Sequence, residues 1–375
     1  MKIAVFYDIA FSGAKRVVKE HVKGLRSLGH IIDVYTTDKA FDDFDPGVEA
    51  NNKYFYPLSN PNKNGIKMFN RLVNDYFYTF YNLRRIHKKI AEDIDKVSYD
   101  IVLVHTDIST QSPFLLRYLK TKSAYFCLEP LRNAYEYSLR FNEKVGILNV
   151  AYENINRWVR KNIDIKNTLS TKYILALSLF GRERIIAAYD LYPKISYLGV
   201  DENKFKPKKI KKRRQVFFVA EKQYIYGYDL AEKAMSLIPK NIRPDFKIVS
   251  WKKNNLERLT DEELVDIYNQ SLVTLSLSRF DTFGLVPLES MACGVPVIAL
   301  NVAGYRETIK DNVTGFLTDF DPQEIANKIM YILNNPDRAE EMGNSGRRWI
   351  EEQWTWSIQI KNLEKILMDW AKNKS

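Results

Sequence analysis

Two acids eight positions apart, Asp281 and Glu289, flank a Phe-Gly pair in the segment 278–299, SRFDTFGLVPLESMACGVPVIA. The run LVTLSLS (272–278) leading into it has the character of a buried strand, so RFDTFG reads as a loop at that strand's carboxyl end. Pro287 suits the first turn of a helix, where its missing N–H costs little, and Gly294 and Pro296 stop that helix. The N–H groups of Phe283, Gly284 and Leu285 are therefore expected at a helix N-terminus, a natural anion site. Gly284 would let a ligand approach the backbone closely. Glu289, about one turn further in, can accept two hydrogen bonds from a diol such as a ribose 2′,3′-pair, and Asp281 could meet a sugar ring. A nucleotide-sugar fits this pattern, with diphosphate on the amides, ribose on Glu289 and sugar near Asp281. The plainer alternative is a solvated loop acid at 281 and an acid that only caps the helix start at 289.

Such a loop has to be carried by a sheet. Short β-branched and aromatic runs (2–7, 31–36, 99–105, 123–128, 173–178, 195–199) alternate with longer helical patterns, and a second series follows (215–220, 246–250, 272–278, 296–300, 315–318). This alternation predicts parallel sheets with helices on both faces, an α/β class of two Rossmann-like, doubly wound domains. KFKPKKIKKRRQ (204–215) separates the two series and reads as a solvated linker. It places the boundary near residue 200, giving domains 1–200 and 201–355. In the tail, Trp356, Ile360, Leu363, Ile366 and Leu367 share one helical face, and this helix (about 356–375) is expected to join the first domain. Ligands of such sheets bind outside the strands' carboxyl ends, so two facing domains would wall one cleft.

Composition bounds the setting. Among 375 residues there are two cysteines, Cys127 and Cys293, both in apolar surroundings. They cannot build a disulfide framework, and Cys/His zinc spacing is absent, so a reduced, cytoplasmic setting is expected. MKIAVFYDIAF carries Asp8 within its apolar stretch and reads as a strand, not a secretory signal. No apolar run approaches the ~18–20 residues that span a bilayer. The net charge of +11 is clumped. From Lys63 to Lys89 seven basic residues meet one acid, Asp75, and are interleaved with aromatics; from Lys204 to Arg214 eight basic residues meet none. Within the first clump the basic–aromatic stretch 66–89 reads as an amphipathic surface for an anionic membrane, at the inner face of the plasma membrane, carrying a lipid-linked acceptor. The alternative is a solvated helix whose aromatics belong to the core. No recognition motif accompanies the charge, so nucleic acid is not an expected partner.

At this point the residues resemble a family. Asp281, seven residues, Glu289 and then MACGVPVIA (291–299) are similar to the donor-site signature of retaining, family-4-type glycosyltransferases of the GT-B fold, with Asp in place of the usual first Glu. The resemblance covers nearly the whole chain. FSGAKRVVKEHVKGLRSLGHIIDVYT (11–36) resembles the family's first loop and helix. CLEPLRNAYE (127–136) is similar to a Cys-His-Glu-Pro-x-Arg segment of one subgroup. LALSLFGRE (175–183), YLGVDENKFKP (197–207) and AGYRETIKDNVTGFLT (303–318) resemble further family segments. Three departures matter. Glu221 and Tyr226 stand where the family usually places an Arg and a Lys that neutralise the donor diphosphate, Leu128 replaces the subgroup's His, and Asp281 is the shorter acid.

The resemblance implies a retaining transfer of a hexosyl group from a nucleoside-diphosphate sugar to a hydroxyl of a glycan or lipid-linked acceptor. It implies no metal and no cofactor beyond the nucleotide-sugar co-substrate, and a place in surface glycan or glycolipid assembly. The first domain would bind the acceptor and the second the donor. Asp281 would position the sugar, and Gly13 (with Ser12), the 283–285 amides, Glu289 and Glu307 would hold the donor. Lys222 and Arg279 are candidates to replace the missing cations. His105 ends a strand and is a candidate substrate contact or a structural histidine. Arg132 is a candidate for an acceptor phosphate or an ordinary surface ion pair. The alternative function is a catalytically silent GT-B subunit that partners an active transferase.

Overall fold

The computed structural model of the chain describes residues 1–9, 12–37, 44–58, 73–135, 147–249 and 259–373. It divides into two compact units. The first comprises Met1–Leu177, Arg182–Ser196 and Ile360–Ser375; the second comprises Ser178–Gly181 and Tyr197–Gln359.

In the first unit seven parallel strands lie in the order β3-β2-β1-β4-β5-β6-β7. They are β1 Lys2–Asp8, β2 Ile31–Thr36, β3 Asn52–Phe55, β4 Ile101–Asp107, β5 Ser123–Cys127, β6 Tyr173–Ala176 and β7 Lys194–Ile195. The central strands β1 and β4 are buried along nearly their whole length, which is why their sequences are apolar runs rather than alternating ones. Helices α1 (Gly13–Ser27), α2 (Leu83–Asp95), α3 (Ile147–Thr168) and α4 (Leu179–Tyr189) connect the strands. A helical segment, Val73–Asn82, runs directly into α2.

The second unit has five parallel strands in the order β12-β11-β10-β8-β9: β8 Gln215–Val219, β9 Asp245–Val249, β10 Val273–Ser276, β11 Val297–Leu300 and β12 Gly315–Thr318. Its helices are α5 (Tyr228–Leu237), α6 (Asp261–Gln270), α7 (Leu285–Ala292), α8 (Pro322–Asn334) and α9 (Pro336–Gln353). Strand order reverses between β1 and β4 in one sheet and between β8 and β10 in the other, and such switch points open a crevice at the carboxyl ends. The last helix, α10 (Trp356–Lys372), buries Ile360, Leu363, Leu367 and Trp370. Its Glu364 reaches His30 at 2.7 Å, and Ile360 abuts Gly24 of α1 so closely that a Cβ there would lie 2.5 Å away.

Two features differ from the sequence reading. β3 is an extra edge strand whose own residues are mostly exposed; it is ordered by its neighbour, through the Asn52–Asp33 hydrogen bond of 2.7 Å and the Tyr35–Tyr54 stack. The basic run 204–214 is no free linker. Phe205 is fully buried, Lys204 and Lys208 pair with Asp261 and Asp266 of α6, and the Lys212 ammonium donates to the Ser271 carbonyl. Its eight basic residues are exposed, as a solvated run requires, but one buried aromatic and complementary acids lay it along α6.

The core of the first unit encloses three imidazoles. His21 of α1 lies 5.3 Å from the ring of His105 on β4, and both pack on Phe126. His87 of α2 stands edge-on to Phe6, 5.0 Å away. Among the described residues neither ring nitrogen of His87 or of His105 has a hydrogen-bond partner. Burial lowers the pKa of His21 and His87 to about 3 and that of His105 well below its usual value. At these three rings the folded chain thus holds fewer protons than the unfolded chain at mildly acid pH. The stability these rings allow is complete above their ordinary pKa near 6.5 and is lost as pH falls from there toward about 3. Asp164, raised to about 6 by burial, works in the opposite direction, as does Asp107. Replacing His87 or His105 by Leu isolates the imidazole contribution. Each variant should lose about 2 kcal/mol less stability than the parent between about pH 7 and pH 5, measured by urea unfolding. An unchanged pH slope would refute the burial argument.

Candidate functional site

β10 ends at Ser276, and the chain then runs through Leu277–Asp281 to Gly284, which opens α7 with φ +94°. The turn demands glycine twice over, because a Cβ at this angle would also lie 2.8 Å from the Tyr305 ring. Pro287 sits in the first turn of α7, and Gly294, at φ +69°, follows its end.

Neighbouring loops hold this one in shape. Gly227 (φ +74°), after β8, crosses so close that a Cβ would lie 2.0 Å from the Leu277 carbonyl. The Arg279 N–H donates to the Ile225 carbonyl at 3.0 Å. From the other side, Gly304 N–H donates to the Asp281 carbonyl, and a Cβ on Gly304 would meet Phe283 Cα at 2.4 Å. Phe283 is buried against Trp354, 5.6 Å between rings, and Ser178 Oγ donates to the Thr282 carbonyl at 2.7 Å.

Glu289 is buried on α7, and its Oε2 accepts from Tyr268 Oη of α6 at 3.0 Å. Tyr268 is itself fully buried, wedged edge-on against Phe217 and Phe205, so this carboxylate is oriented by a phenol that cannot swing away. Asp281 turns back on its own loop. Its Oδ1 accepts from Gly284 N at 2.9 Å and Phe283 N at 3.2 Å, and its Oδ2 accepts from Tyr305 Oη at 3.2 Å. Two of the three amides expected to hold phosphate are therefore occupied by the carboxylate expected to meet the sugar. An anion arriving there has to displace it.

The other expected residues divide by unit. In the second unit, Arg279 forms two 2.8 Å bonds to Asp229 and stacks over Tyr224, 3.8 Å from its ring centre, so its charge is largely met within the protein. Lys222 lies over Tyr228 at 5.7 Å and stays exposed. Glu221 accepts from Gln223 Nε2 at 2.8 Å. Glu307 accepts from Leu179 N (2.8 Å), Phe180 N (3.0 Å) and Tyr197 Oη (3.0 Å), which ties the start of α4 to the turn that carries Gly304.

In the first unit, Gly13 opens α1 and Ser12 Oγ accepts from Lys15 N at 3.4 Å; residues 10 and 11 of that loop lie outside the described residues. Arg132 pairs with Glu129 at 2.5 Å, as a surface ion pair would. His105 is corrected: it is wholly enclosed between α1 and the sheet, and its ring presents no nitrogen to a substrate. Its place near the strand's end misleads because β4 continues to Asp107.

Two residues that shape the site went unremarked in the sequence. Tyr268 lies 21 positions upstream of Glu289, in a helix whose local pattern gives no sign of the pairing. Tyr305 stands in the 303–318 segment, so its position was available, but its grip on Asp281 depends on how two loops meet.

Three comparisons bear on this geometry. Residues 254–349 match the family described as Glycosyl transferases group 1, and this stretch contains the whole 278–299 loop and helix. A D-inositol 3-phosphate glycosyltransferase of Thermobifida fusca is 41% identical over 85 residues, 22% of this chain and 20% of that protein. A GDP-mannose-dependent alpha-(1-6)-phosphatidylinositol monomannoside mannosyltransferase of Mycobacterium tuberculosis is 40% identical over 85 residues, 22% of each chain. The matched stretch thus spans about a fifth of these curated relatives, 20% and 22%. Whole-chain likeness comes from solved structures. Sucrose-phosphate synthase of Thermosynechococcus elongatus superposes with a TM-score of 0.74 at 17% identity, covering 98% of both chains. Anabaena HepE in complex with UDP superposes with 0.70 at 14%, covering 98% of this chain and 100% of that one. The fold is GT-B, and the likeness to group 1 glycosyl transferases is confined to the match over residues 254–349.

Substituting Gly304→Ala puts a methyl group into the backbone of the 281–284 loop. The expected result is a stability loss of about 1–3 kcal/mol in thermal unfolding, together with altered tryptophan emission as Phe283 shifts on Trp354. Unchanged melting and emission would show that the loop is not held as described.

Proposed function

We propose that this chain, with its group 1 glycosyl transferase domain, moves a glycosyl group from a nucleoside-diphosphate sugar to a hydroxyl of a glycan or lipid-linked acceptor, with retained anomeric configuration and without a metal. The observation that carries the reading is Glu289, a buried carboxylate fixed by Tyr268 beside a glycine-opened helix start at the carboxyl end of β10. A carboxylate so placed can grip the paired hydroxyls of a ribose. The comparisons support the donor class, since one relative is named for GDP-mannose and one structural neighbour holds UDP. In this reading the α7 start receives the diphosphate once Asp281 gives up the Phe283 and Gly284 amides, and the released carboxylate is then free to meet sugar hydroxyls. Gly13 lies at the corresponding helix start of the first unit. Retention would have the leaving diphosphate take the acceptor's proton on the face it departs from.

One set of observations favours a second reading, a silent subunit of the same fold beside an active transferase. Glu221 and Tyr226 supply no cation, and Arg279 is already held by Asp229. A diphosphate leaving group would then be weakly stabilised.

A thermal-shift series with UDP, GDP, ADP and CDP, then the matching sugar donors, with and without magnesium, separates the two. The nucleotide that fits should add about 2.7 kcal/mol at roughly 100-fold over its dissociation constant. That gain should vanish in Glu289→Ala, and Tyr268→Phe should weaken the nucleotide about two- to tenfold while the fold is retained. A Glu289→Ala protein that keeps the full shift would refute the site, and no shift with any nucleotide would favour the silent subunit.

A further inference from the structure

A cavity of about 490 Å³ lies in the second unit, and no residue of the 277–289 loop and helix lines it. It runs beside β12, the edge strand of the sheet, two strands away from β10. Helix α8 buries Ile325, Ile329 and Ile332 in the core. Glu324, Asn327, Lys328 and Tyr331, at helical spacing i, i+3, i+4 and i+7, share a second face, and all four line the cavity. Phe316 of β12, almost fully buried, adds an apolar wall, and Asn312 and Arg338 complete the lining.

The walls are held by the protein itself. Arg338 donates to the Asn312 carbonyl at 2.7 Å and to the Glu341 carboxylate at 2.6 Å. Glu324 accepts from the Asp319 amide at 2.9 Å, and Asn335 Nδ2 donates to the Tyr331 carbonyl at 2.8 Å. The Tyr331 ring stands edge-on to Phe316, 5.6 Å away, and the Lys328 ammonium lies over the Phe316 ring at 4.4 Å. A ligand would therefore meet a cavity that needs little further ordering. Its charges also balance. Arg338 is met by Glu341, and Glu324 offsets Lys328, which makes no ion pair among the described residues. A compact anion finds no excess positive charge here, and an apolar ligand would strip water from polar groups without replacing it. A neutral polyol suits the lining better. Its hydroxyls both donate and accept, as Asn312, Asn327 and Glu324 require, and its C–H face can lie against the Tyr331 ring, which is 43% exposed. The volume is within the range of about 300–1,000 Å³ typical of small-molecule sites.

We propose that the cavity between β12 and α8 binds a short segment of a neutral glycan, with Tyr331 as the ring on which a sugar lies and Asn327 as a hydrogen-bonding partner of its hydroxyls. This is a carbohydrate site separate from the 277–289 loop and helix. It goes beyond the transferase reading and does not rest on it.

Saturation-transfer NMR and calorimetric titration of the full chain, without nucleotide, test the site. The neutral probes are maltohexaose, α-1,6-linked mannohexaose and cellohexaose, and a heparin hexasaccharide is the anionic one. At least one neutral probe should bind with a millimolar or lower Kd, and more tightly than the heparin fragment. Tyr331→Ala should weaken that binding about tenfold, and Asn327→Ala about two- to tenfold. Both side chains are exposed, so circular dichroism melts of the variants should match the parent. Glu289→Ala should leave the glycan affinity unchanged. No binding of any neutral probe, tighter binding of the heparin fragment, or full binding by both the Tyr331 and Asn327 variants would overturn the proposal. Loss of glycan binding in Glu289→Ala would do so too, by placing the sugar at the other site. If a glycan binds as expected but no nucleotide does, the transferase reading fails and this site stands; a nucleotide shift without glycan binding is the reverse.

Discussion

Backbone approaches backbone only where no Cβ intervenes, and the 277–284 loop depends on this in several places. Gly227 lets the β8 loop pass behind Leu277, Gly304 lets the following turn close on Phe283, and Gly284 adopts the left-handed angle that starts α7. These contacts fix the height and direction of α7 and so decide where Glu289 points. Tyr268 then removes the remaining freedom of that side chain. The site is thus built by close approach first and by hydrogen bonding second. The aromatic packing of Phe283 on Trp354 excludes water from the back of the loop.

Much of this was legible in the sequence because the signals were local. The parallel sheets announced themselves as uninterrupted apolar runs, since strands covered on both faces have no reason to alternate. Gly284, Pro287, Gly294 and Pro296 marked both ends of α7 by backbone chemistry alone. What was not legible came from partners far along the chain. β3 is a strand because β2 offers it an edge, and the basic run at 204–214 is ordered because α6 presents Asp261 and Asp266. His105 illustrates the same limit. A histidine close to a strand's end can face the crevice or the core, and only the packing of α1 and its His21 ring decides for the core.

Charge is distributed unevenly along the chain. The chain has basic residues in excess, yet around the α7 start they are few, and Arg279 is held by Asp229 and Tyr224. Much of the excess lies in two runs instead, seven basic residues from Lys63 to Lys89 and eight from Lys204 to Arg214.

Asp281 sharpens that contrast. A helix N-terminus gains from a nearby negative charge whichever molecule supplies it, and here the protein supplies its own through a side chain short enough to fold back on the amides two and three residues ahead. A phosphate entering this position therefore gains only the difference between its own interaction and that of the carboxylate it replaces. Binding that relied on charge alone would be shallow. On the proposed reading it would become favourable when the same ligand also brings hydroxyls to Glu289, whose orientation is already set by Tyr268 and needs no further ordering. On that reading the two acids eight residues apart have unlike parts: Asp281, which holds the loop in shape, would yield to a phosphate, and Glu289, held by Tyr268, would stay fixed and meet the ribose.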